Sequence, residues 1–270
     1  MTESGSYVER LDTAAPLRME VLQMALRQLG LRSGSSGLDA GCGTGHVSLL
    51  LAEEVGADGH VICLDVDAVL LAAASQRLED AGYGSRIALR EGDVAALPFA
   101  DNAFDWAVSV DCLGYAAAVP MAGIGELARV VRPDGQVAVL AWSSERMLPG
   151  YPQLEARLHA TRAGLAPYVG KIAPERDFLH GLTWLRRVGL RGARASTFVG
   201  QVCAPLRPEL REAMADLFGM RWPGAAADLT AEDGAEFQRL CSPQSPDFIV
   251  DHPDYYAFFT YTMLVGTVVN

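Results

Sequence analysis

Leu38-Asp39-Ala40-Gly41-Cys42-Gly43-Thr44-Gly45 decides the fold: a short apolar run ends in three alternate glycines. The residues from 47 to 55 then place their apolar side chains on one helical face, so the stretch predicts a strand, a turn and a helix. Glycines at such a turn adopt positive φ, and the bare N–H groups of the new helix favour the anionic end of a ligand. A dinucleotide-binding turn would need a third glycine at position 46, which is His46. The spacing is therefore Gly-x-Gly-x-Gly, with a ligand-free turn as the simpler alternative.

Composition narrows the class of protein. The chain has 270 residues, half of them hydrophobic, and suits one large domain with insertions. Its net charge of −11 disfavours nucleic acid and favours a small-molecule substrate. No apolar run is long enough to span a membrane, and the amino-terminal residues lack the pattern of a secretory signal. The five cysteines are scattered, so we expect free thiols, no metal site and a cytoplasmic protein; nothing in the sequence indicates an oligomeric state.

Strand and helix patterns alternate along the first half of the chain. Predicted helices cover residues 17–29, with Pro16 in the first turn, and then 47–55, 68–80 and 124–131. Predicted strands lie near residues 60–64, 87–89, 106–110 and 137–141, with a turn at 132–135. This alternation predicts an α/β fold: a Rossmann-like, mostly parallel sheet with helices on both faces, whose ligand lies beyond the carboxyl ends of the strands.

The alternation of strand and helix patterns becomes irregular after residue 143, where prolines interrupt the apolar positions. We interpret two long excursions as a helical lid, because ordered loops of that length are uncommon unless they are functional. The predicted organisation is a core with an amino-terminal helix (1–144), a lid insertion (145–175), a core helix and strand (176–205), a second lid insertion (206–254) and a final strand (255–270).

Carboxylates follow two of the predicted strands. Asp65 closes the second strand, where its two oxygens suit a pair of ribose hydroxyls; the alternative is a helix cap, a role open to Asp67 instead. Asp93 and Val94 follow the third strand, where a carboxylate and a backbone N–H would suit the edge of an adenine ring. Taken alone, the Gly92-Asp93 pair is more typical of a structural turn than of a ligand site.

Two longer segments carry a family resemblance. The stretch from Asp93 through Leu97-Pro98-Phe99 to Phe104-Asp105, and the stretch 126–135, both resemble the ubiquinone/menaquinone-type (UbiE-like) methyltransferases. With the glycine turn, the similarity covers roughly residues 36–142 and identifies the chain as a member of the class I S-adenosylmethionine (SAM) dependent methyltransferases. The resemblance implies a seven-stranded sheet with an antiparallel final strand, and SAM as cofactor.

The resemblance also implies roles for individual residues. Asp39 would orient the methionine amine, the glycines would line the methionine tail, and Asp65 would hold the ribose. Val66 would lie against adenine, with Asp93 and Val94 at its edge. The complete set of expected cofactor-binding residues is Asp39, Ala40, Gly41, Gly43, Gly45, Asp65, Val66, Asp93, Val94, Asp111, Tyr7 and Arg18.

Substrate chemistry is expected after the fourth strand. Asp111 is a candidate base, or a second partner of the SAM amine, and Tyr115 either bonds a substrate or lines the pocket. Cys112 matches a cysteine of arsenite methyltransferases, but their other cysteine motifs are absent, which favours a packed thiol. Tyr7 and Arg18 are candidates for covering the cofactor, or plain surface residues.

No convincing dyad of histidine and carboxylate is apparent. Histidines of the expected lid are candidate bases, with solvated or packed imidazoles as the alternative: His159, His180 and His252. The aromatic run from 255 to 261 is expected to pack in the core.

We therefore expect SAM-dependent methyl transfer to a small, largely apolar molecule, with the acceptor atom (O, N or C) open. The alternatives are a non-methylating SAM enzyme of the same fold (decarboxylation, rearrangement or cyclisation) and a non-catalytic SAM-binding protein. A nicotinamide oxidoreductase is disfavoured by the missing third glycine.

Overall fold

The computed structural model describes residues 3–113, 120–166 and 173–270, with side chains from Tyr7 onward. The helices are α1 (Glu3–Leu29), α2 (His46–Val55), α3 (Ala68–Asp80), α4 (Pro120–Val130), α5 (Pro152–Ala160), α6 (Arg162–Leu165), α7 (Gly181–Arg187), α8 (Pro208–Arg221) and α9 (Ala231–Cys241). The strands are β1 (Ser36–Ala40), β2 (His60–Asp65), β3 (Ile87–Glu91), β4 (Phe104–Val110), β5 (Val131–Arg146), β6 (Arg191–Cys203) and β7 (Tyr256–Thr267).

The strands form one seven-stranded sheet in the order β3-β2-β1-β4-β5-β7-β6. The first five strands pair in parallel, and β7 lies antiparallel between β5 and β6. This arrangement confirms the predicted Rossmann-like fold class with its antiparallel final strand. Because β1 is the point where the order reverses, the turn after Ala40 lies at the ligand-binding edge of the sheet.

Alternation along the strands divides the core between the two faces of the sheet. In β5, Ala138 and Leu140 join an apolar cluster that includes α1, α2 and α8. Their neighbours Val137 and Val139 join a second cluster with α4 and α7. None of the helices in the part of the chain that the structure describes is both long enough and apolar enough to cross a membrane.

Helix α1 begins earlier than the sequence predicts. It runs from Glu3, so Pro16 lies inside the helix and not in its first turn. A proline in that position removes one backbone hydrogen bond, which normally ends or kinks a helix. Here Ala14 and Ala15 are buried, and Leu11 approaches Gly43 of the glycine turn. Tertiary contacts on both sides of Pro16 therefore extend the helix through it.

The predicted turn at residues 132–135 lies within β5. The strand begins at Val131, and its pairing with β4 shifts register between Phe104 and Trp106. Asp134 adopts a φ of 66°, so the turn chemistry is present as an irregularity in the strand. At its other end β5 continues to Arg146, two residues beyond the expected boundary of the core.

Two excursions leave the sheet, one between β5 and β6 and one between β6 and β7. Residues of the two pair directly: Arg157 of α5 with Asp233 of α9, and Arg162 of α6 with Asp228. Helix α8 of the second excursion packs along α1. The two excursions are therefore joined to each other and to the amino-terminal helix.

Candidate functional site

The glycine turn leaves β1 beside the end of β2. The N–H groups of Gly41 and Cys42 both donate to the carbonyl of Leu64, at 2.7 and 3.0 Å. All three glycines have positive φ: 81° at Gly41, 54° at Gly43 and 83° at Gly45. A side chain at Gly41 would also collide with Cys112, since its Cβ would lie 2.4 Å from the sulfur. Glycine is therefore required at position 41 by both backbone conformation and packing.

Asp39 is a buried carboxylate just before this turn. Its Oδ2 accepts a hydrogen bond from Ser48 Oγ at 2.6 Å, while its Oδ1 is buried with no partner among the residues that the structure describes. Burial raises the pKa of Asp39 to about 7, the charge of Asp65 adds to this, and the Ser48 hydrogen bond opposes it. A buried acceptor without a donor indicates a place where a ligand donor is expected.

Asp65 is held by the backbone around it. Its Oδ2 accepts from the N–H of Gly43 at 2.8 Å, and its Oδ1 accepts from the N–H of Asp67 at 3.1 Å. Each carboxylate oxygen keeps a second lone pair for another donor. The cap of α3 is Asp67, which accepts from Val69 N, so Asp65 does not serve as the cap. The apolar side chain of Val66 is 71% exposed beside it.

Asp93 and Val94 lie just past the end of β3. Asp93 is exposed, and its Oδ1 accepts from the N–H of Ala95 at 2.8 Å, which forms a local turn. The negative charge of Asp93 nevertheless contributes to the raised pKa of the Cys112 thiol, which lies against the glycine turn. The structural role of Asp93 is thus present, and its role toward adenine stays a prediction.

Asp111 is the centre of a polar cluster after β4, where it adopts a φ of 51°. Its Oδ2 accepts from Tyr261 at 2.6 Å and pairs with Arg18 at 3.2 Å. Its Oδ1 accepts from the backbone N–H of Trp142 at 3.1 Å. These partners supply a donor to each carboxylate oxygen and fix the position of the side chain. The two expected roles of Asp111, as a base and as a partner of the SAM amine, stay predictions. Nothing local in the sequence pointed to Tyr261, which comes from the aromatic run expected only to pack.

The remaining expected residues differ in their surroundings. Tyr7 is half-exposed, and partial burial raises the pKa of its phenol, while Arg18 lowers that pKa. Burial raises the pKa of the Cys112 thiol to about 11, so the thiol stays protonated at neutral pH. Ala40 is buried at the end of β1. Tyr115 lies outside the described residues.

Helix α1 is fastened to the glycine turn by Asp12, a residue that the sequence pattern did not indicate. Its Oδ1 accepts from Thr44 Oγ1 at 3.1 Å and from Arg77 Nη2 at 2.5 Å, and it meets His46 Nε2 at 3.1 Å. Arg77 also donates from Nε to the carbonyl of Thr44 at 3.0 Å. The segment that carries Tyr7 and Arg18 is thereby fixed beside the turn.

The three histidines of the excursions have different environments. His180 and His252 are exposed, and the Nδ1 of His252 accepts from Asp254 N, so both belong to the surface. His159 instead lies beside the buried carboxylate of Glu145, with 3.5 Å between Nδ1 and Oε1. The sequence did not indicate this pair, because the two residues lie on different elements.

Comparison with known proteins agrees with this geometry. A family model described as a methyltransferase domain matches residues 38–135. Over 160 residues the chain is 37% identical to a demethylmenaquinone methyltransferase of Desulfitobacterium hafniense, which covers 58% of this chain and 61% of that protein. Over 134 residues it is 37% identical to a 2-phytyl-1,4-naphtoquinone methyltransferase of Nostoc punctiforme, and this match covers 50% of this chain and 56% of that protein.

Among solved structures, a SAM dependent methyltransferase from Aquifex aeolicus superposes with a TM-score of 0.54 at 22% identity, over 70% of this chain and 90% of that one. That likeness supports the fold. The chain spans less than two thirds of the length of these two curated relatives. The residues that the family model matches include the glycine turn and the carboxylates after β2 and β3. Residues 38–135 of this chain therefore match a methyltransferase domain.

Proposed function

We propose that this protein transfers a methyl group from SAM to a small, largely apolar hydroxylated aromatic molecule of the quinol type. The observation that carries the proposal is the buried, unpartnered Oδ1 of Asp39 beside a turn of three positive-φ glycines. An aliphatic backbone of a ligand fits against such a turn, and its ammonium group would supply the donor that Asp39 lacks.

The residues present fit SAM in both charge and space. Among the residues that the structure describes, a Cβ built at Gly43 would meet only the Leu11 side chain, at 3.9 Å, so the described part of the turn leaves its middle open. Asp39 would hold the amine, and the spare lone pairs of Asp65 would accept the ribose hydroxyls. Val66, Asp93 and Val94 would border the adenine. When bound, SAM would supply an electrophilic methyl group on a sulfonium centre.

The chain's own residues contribute mainly by orientation and by excluding water. Asp12 holds α1 against the glycine turn, so Tyr7 and Arg18 are kept near Asp111. Asp111 is held in place by its hydrogen bonds from Tyr261 and from the Trp142 backbone, and this fixed position suits an acceptor for the amine of SAM.

Aromatic side chains support an apolar, ring-shaped acceptor. Trp142 stacks on Phe259 with 4.3 Å between ring centroids, and its edge meets Tyr261 at 5.7 Å. These rings adjoin Asp111 at the carboxyl end of the sheet. The names of the two relatives refer to a demethylmenaquinone and a naphthoquinone, which are molecules of that class. The excursions over residues 145–175 and 206–254 would form the lid.

Isothermal calorimetry with SAM and S-adenosylhomocysteine tests the cofactor. Asp65→Ala should weaken binding by about 2–3 kcal/mol, roughly 30- to 150-fold, because charge-assisted hydrogen bonds are lost. Asp58→Ala, an exposed aspartate on the turn before β2, is the matched control and should bind like wild type. No binding of SAM to the wild-type protein would refute the proposal.

Incubation with SAM and a panel of phenols and hydroquinones tests the reaction. Mass spectrometry should find S-adenosylhomocysteine and a product heavier by one CH₂ group. Conversion of the acceptor with SAM intact would indicate a non-methylating reaction instead. Tight SAM binding without any conversion would favour a non-catalytic binding protein.

A further inference from the structure

A partly buried histidine and a buried glutamate form a pair that Trp142 links to Asp111. Strand β5 continues past its pairing with β4 and places Glu145 opposite Phe259 of β7, and α5 places His159 Nδ1 3.5 Å from the Oε1 of Glu145. Glu145 is 3% exposed and fully engaged, since Oε1 accepts from Arg221 Nε at 2.6 Å and Oε2 accepts from Trp142 Nε1 at 2.5 Å. The carboxylate therefore has a fixed position and faces the δ side of the imidazole.

This orientation determines which ring nitrogen is available. A carboxylate beside Nδ1 favours the proton on that nitrogen and leaves a lone pair on Nε2. Nε2 of His159 is buried and has no hydrogen-bond partner among the described residues. The same holds for Nε1 of Trp222, whose ring meets the imidazole edge-on with 5.5 Å between centroids. Two neighbouring rings thus carry one buried acceptor and one buried donor without partners, and a hydroxyl group can supply either partner.

The charges around His159 keep it neutral. Burial lowers the pKa of the imidazole, and the guanidinium groups of Arg221 and Arg146 lower it further. Glu145 and Glu155 act in the opposite direction without reversing the shift. At neutral pH the ring therefore carries one proton and can take another.

Trp142 connects this pair to the expected cofactor site. Its backbone N–H donates to Asp111, and its indole N–H donates to Glu145. Trp142 packs against the buried rings of Phe259 and Tyr261, so its position is fixed between the two groups that it contacts. A methyl acceptor that reaches His159 would therefore be separated from the Asp111 cluster by this one residue.

We propose that His159 is the proton acceptor for a phenolic or enolic hydroxyl of the methyl acceptor, with Glu145 as its positioning residue. This inference rests on the proposed function. The hydroxyl proton moves to Nε2, the oxygen forms a bond to the methyl carbon, and the carbon–sulfur bond breaks with its electron pair remaining on sulfur. The products are a methyl ether, a neutral thioether and an imidazolium that returns its proton to water.

Nitrogen-15 NMR of the wild-type protein, with its histidines labelled with nitrogen-15, tests the pair of His159 and Glu145. The experiment needs neither SAM nor a variant. His159 should show the proton on Nδ1, and addition of 1-naphthol or 4-nitrophenol should shift the Nε2 resonance. His180, exposed on the same excursion, is the internal control and should not respond. An unshifted Nε2 at saturating phenol, or no binding of either phenol, would overturn the proposal.

Kinetics with the same phenols tests the role in turnover. His159→Gln should lower kcat by about 10²- to 10⁴-fold and flatten the acidic limb of the pH–rate profile, while SAM affinity by calorimetry stays unchanged. Glu145→Gln should lower kcat less and shift the limb, and His180→Gln should behave as wild type. An unchanged profile in His159→Gln, or a carbon-methylated product, would contradict the proton-acceptor role. Loss of SAM binding in the wild-type protein would instead refute the proposed function itself.

Discussion

At the residue scale, the protonation of Asp39 links cofactor binding to pH. Its carboxyl has a pKa of about 7 because it is buried, and only the ionised form attracts an ammonium group. SAM affinity should therefore rise as pH increases through about 7 and level off above it. Calorimetry across that range measures the effect.

Two variants make this prediction specific. Asp39→Asn should bind SAM weakly with little dependence on pH. Ser48→Ala removes a hydrogen bond that lowers the pKa of Asp39, so the rise should move to higher pH. An affinity of the wild type that is flat across pH 7 would contradict the assignment of Asp39 to the amine.

The same carboxyl makes the stability of the ligand-free protein depend on pH. The folded pKa is raised from 3.8 to about 7, so the folded state binds the proton more tightly than the unfolded state does. The stability from this proton is present below the unfolded pKa and is lost as pH rises through the folded pKa. The free energy of unfolding of Asp39→Asn, compared with that of wild type, should thus be higher above pH 7 than at acidic pH. The difference should be a few kcal/mol, at about 1.4 kcal/mol per pKa unit. Chemical denaturation at acidic and alkaline pH measures this, and parallel pH profiles of the two proteins would exclude it.

Gly41 combines a left-handed backbone with a close neighbour. Gly41→Ala should destabilise the fold by more than the roughly 1–2 kcal/mol of a positive φ alone, because its Cβ would lie 2.4 Å from the Cys112 sulfur. Gly82→Ala is the matched control, since Gly82 has a φ of 77° and nothing within 4 Å of the added carbon. Equal losses of unfolding free energy in the two variants would show that the contact with Cys112 is unimportant.

At the element scale, α1 has two halves with different attachments. The second half buries Val21 and Leu22 in the core, whereas the first half depends on Asp12 and its contacts with Thr44, His46 and Arg77. Pro16 separates them and donates no backbone hydrogen bond. Local opening of the first half alone is therefore the expected motion.

Asp12→Ala should speed hydrogen exchange in residues 7–15 and leave residues 21–29 unchanged. The Asp12 side chain is 38% exposed, so its loss should lower the free energy of local opening by only about 1 kcal/mol. This corresponds to a roughly fivefold faster exchange rate. SAM affinity should fall in parallel if this half of the helix covers the cofactor. Glu9→Ala, an exposed acidic residue on the same helix, is the control. Uniform acceleration along the whole of α1 would contradict the two-part description.

At the scale of the whole molecule, the excursions are held by ion pairs of unequal strength. The Arg221–Glu145 pair joins α8 to β5 around a carboxylate that is 3% exposed, whereas the Arg162–Asp228 pair lies on the surface. Removing one partner of a buried pair leaves an unpaired buried charge, which costs far more than the loss of a surface pair.

Arg221→Met should lower the free energy of unfolding by about 2–3 kcal/mol, below the value for a fully buried pair because Arg221 stays 26% exposed. Arg162→Met, its matched control, should change it little. Thermal and denaturant unfolding measure both. Equal effects would mean that Glu145 finds another partner when Arg221 is removed.

The sequence by itself determined the local units of this protein. Gly-x-Gly-x-Gly after an apolar run predicted a strand–turn–helix, and Asp67 before an apolar helical face predicted the cap of α3, because turns, caps and periodicity depend on residues a few positions apart. The alternation of these units was enough for a parallel sheet, and the resemblance supplied its antiparallel last strand.

Only the tertiary structure decided which side chains meet. Tyr261 reaches Asp111 across 150 positions because β7 inserts beside β5, and Arg77 reaches Asp12 because α1 folds back over the turn. Glu145 and His159 meet because β5 continues past its pairing with β4 and α5 brings His159 back against it. None of these pairs leaves a local pattern, since each depends on the order of the strands and on burial. The turn was therefore readable from the chain, and the groups that surround the expected acceptor were not.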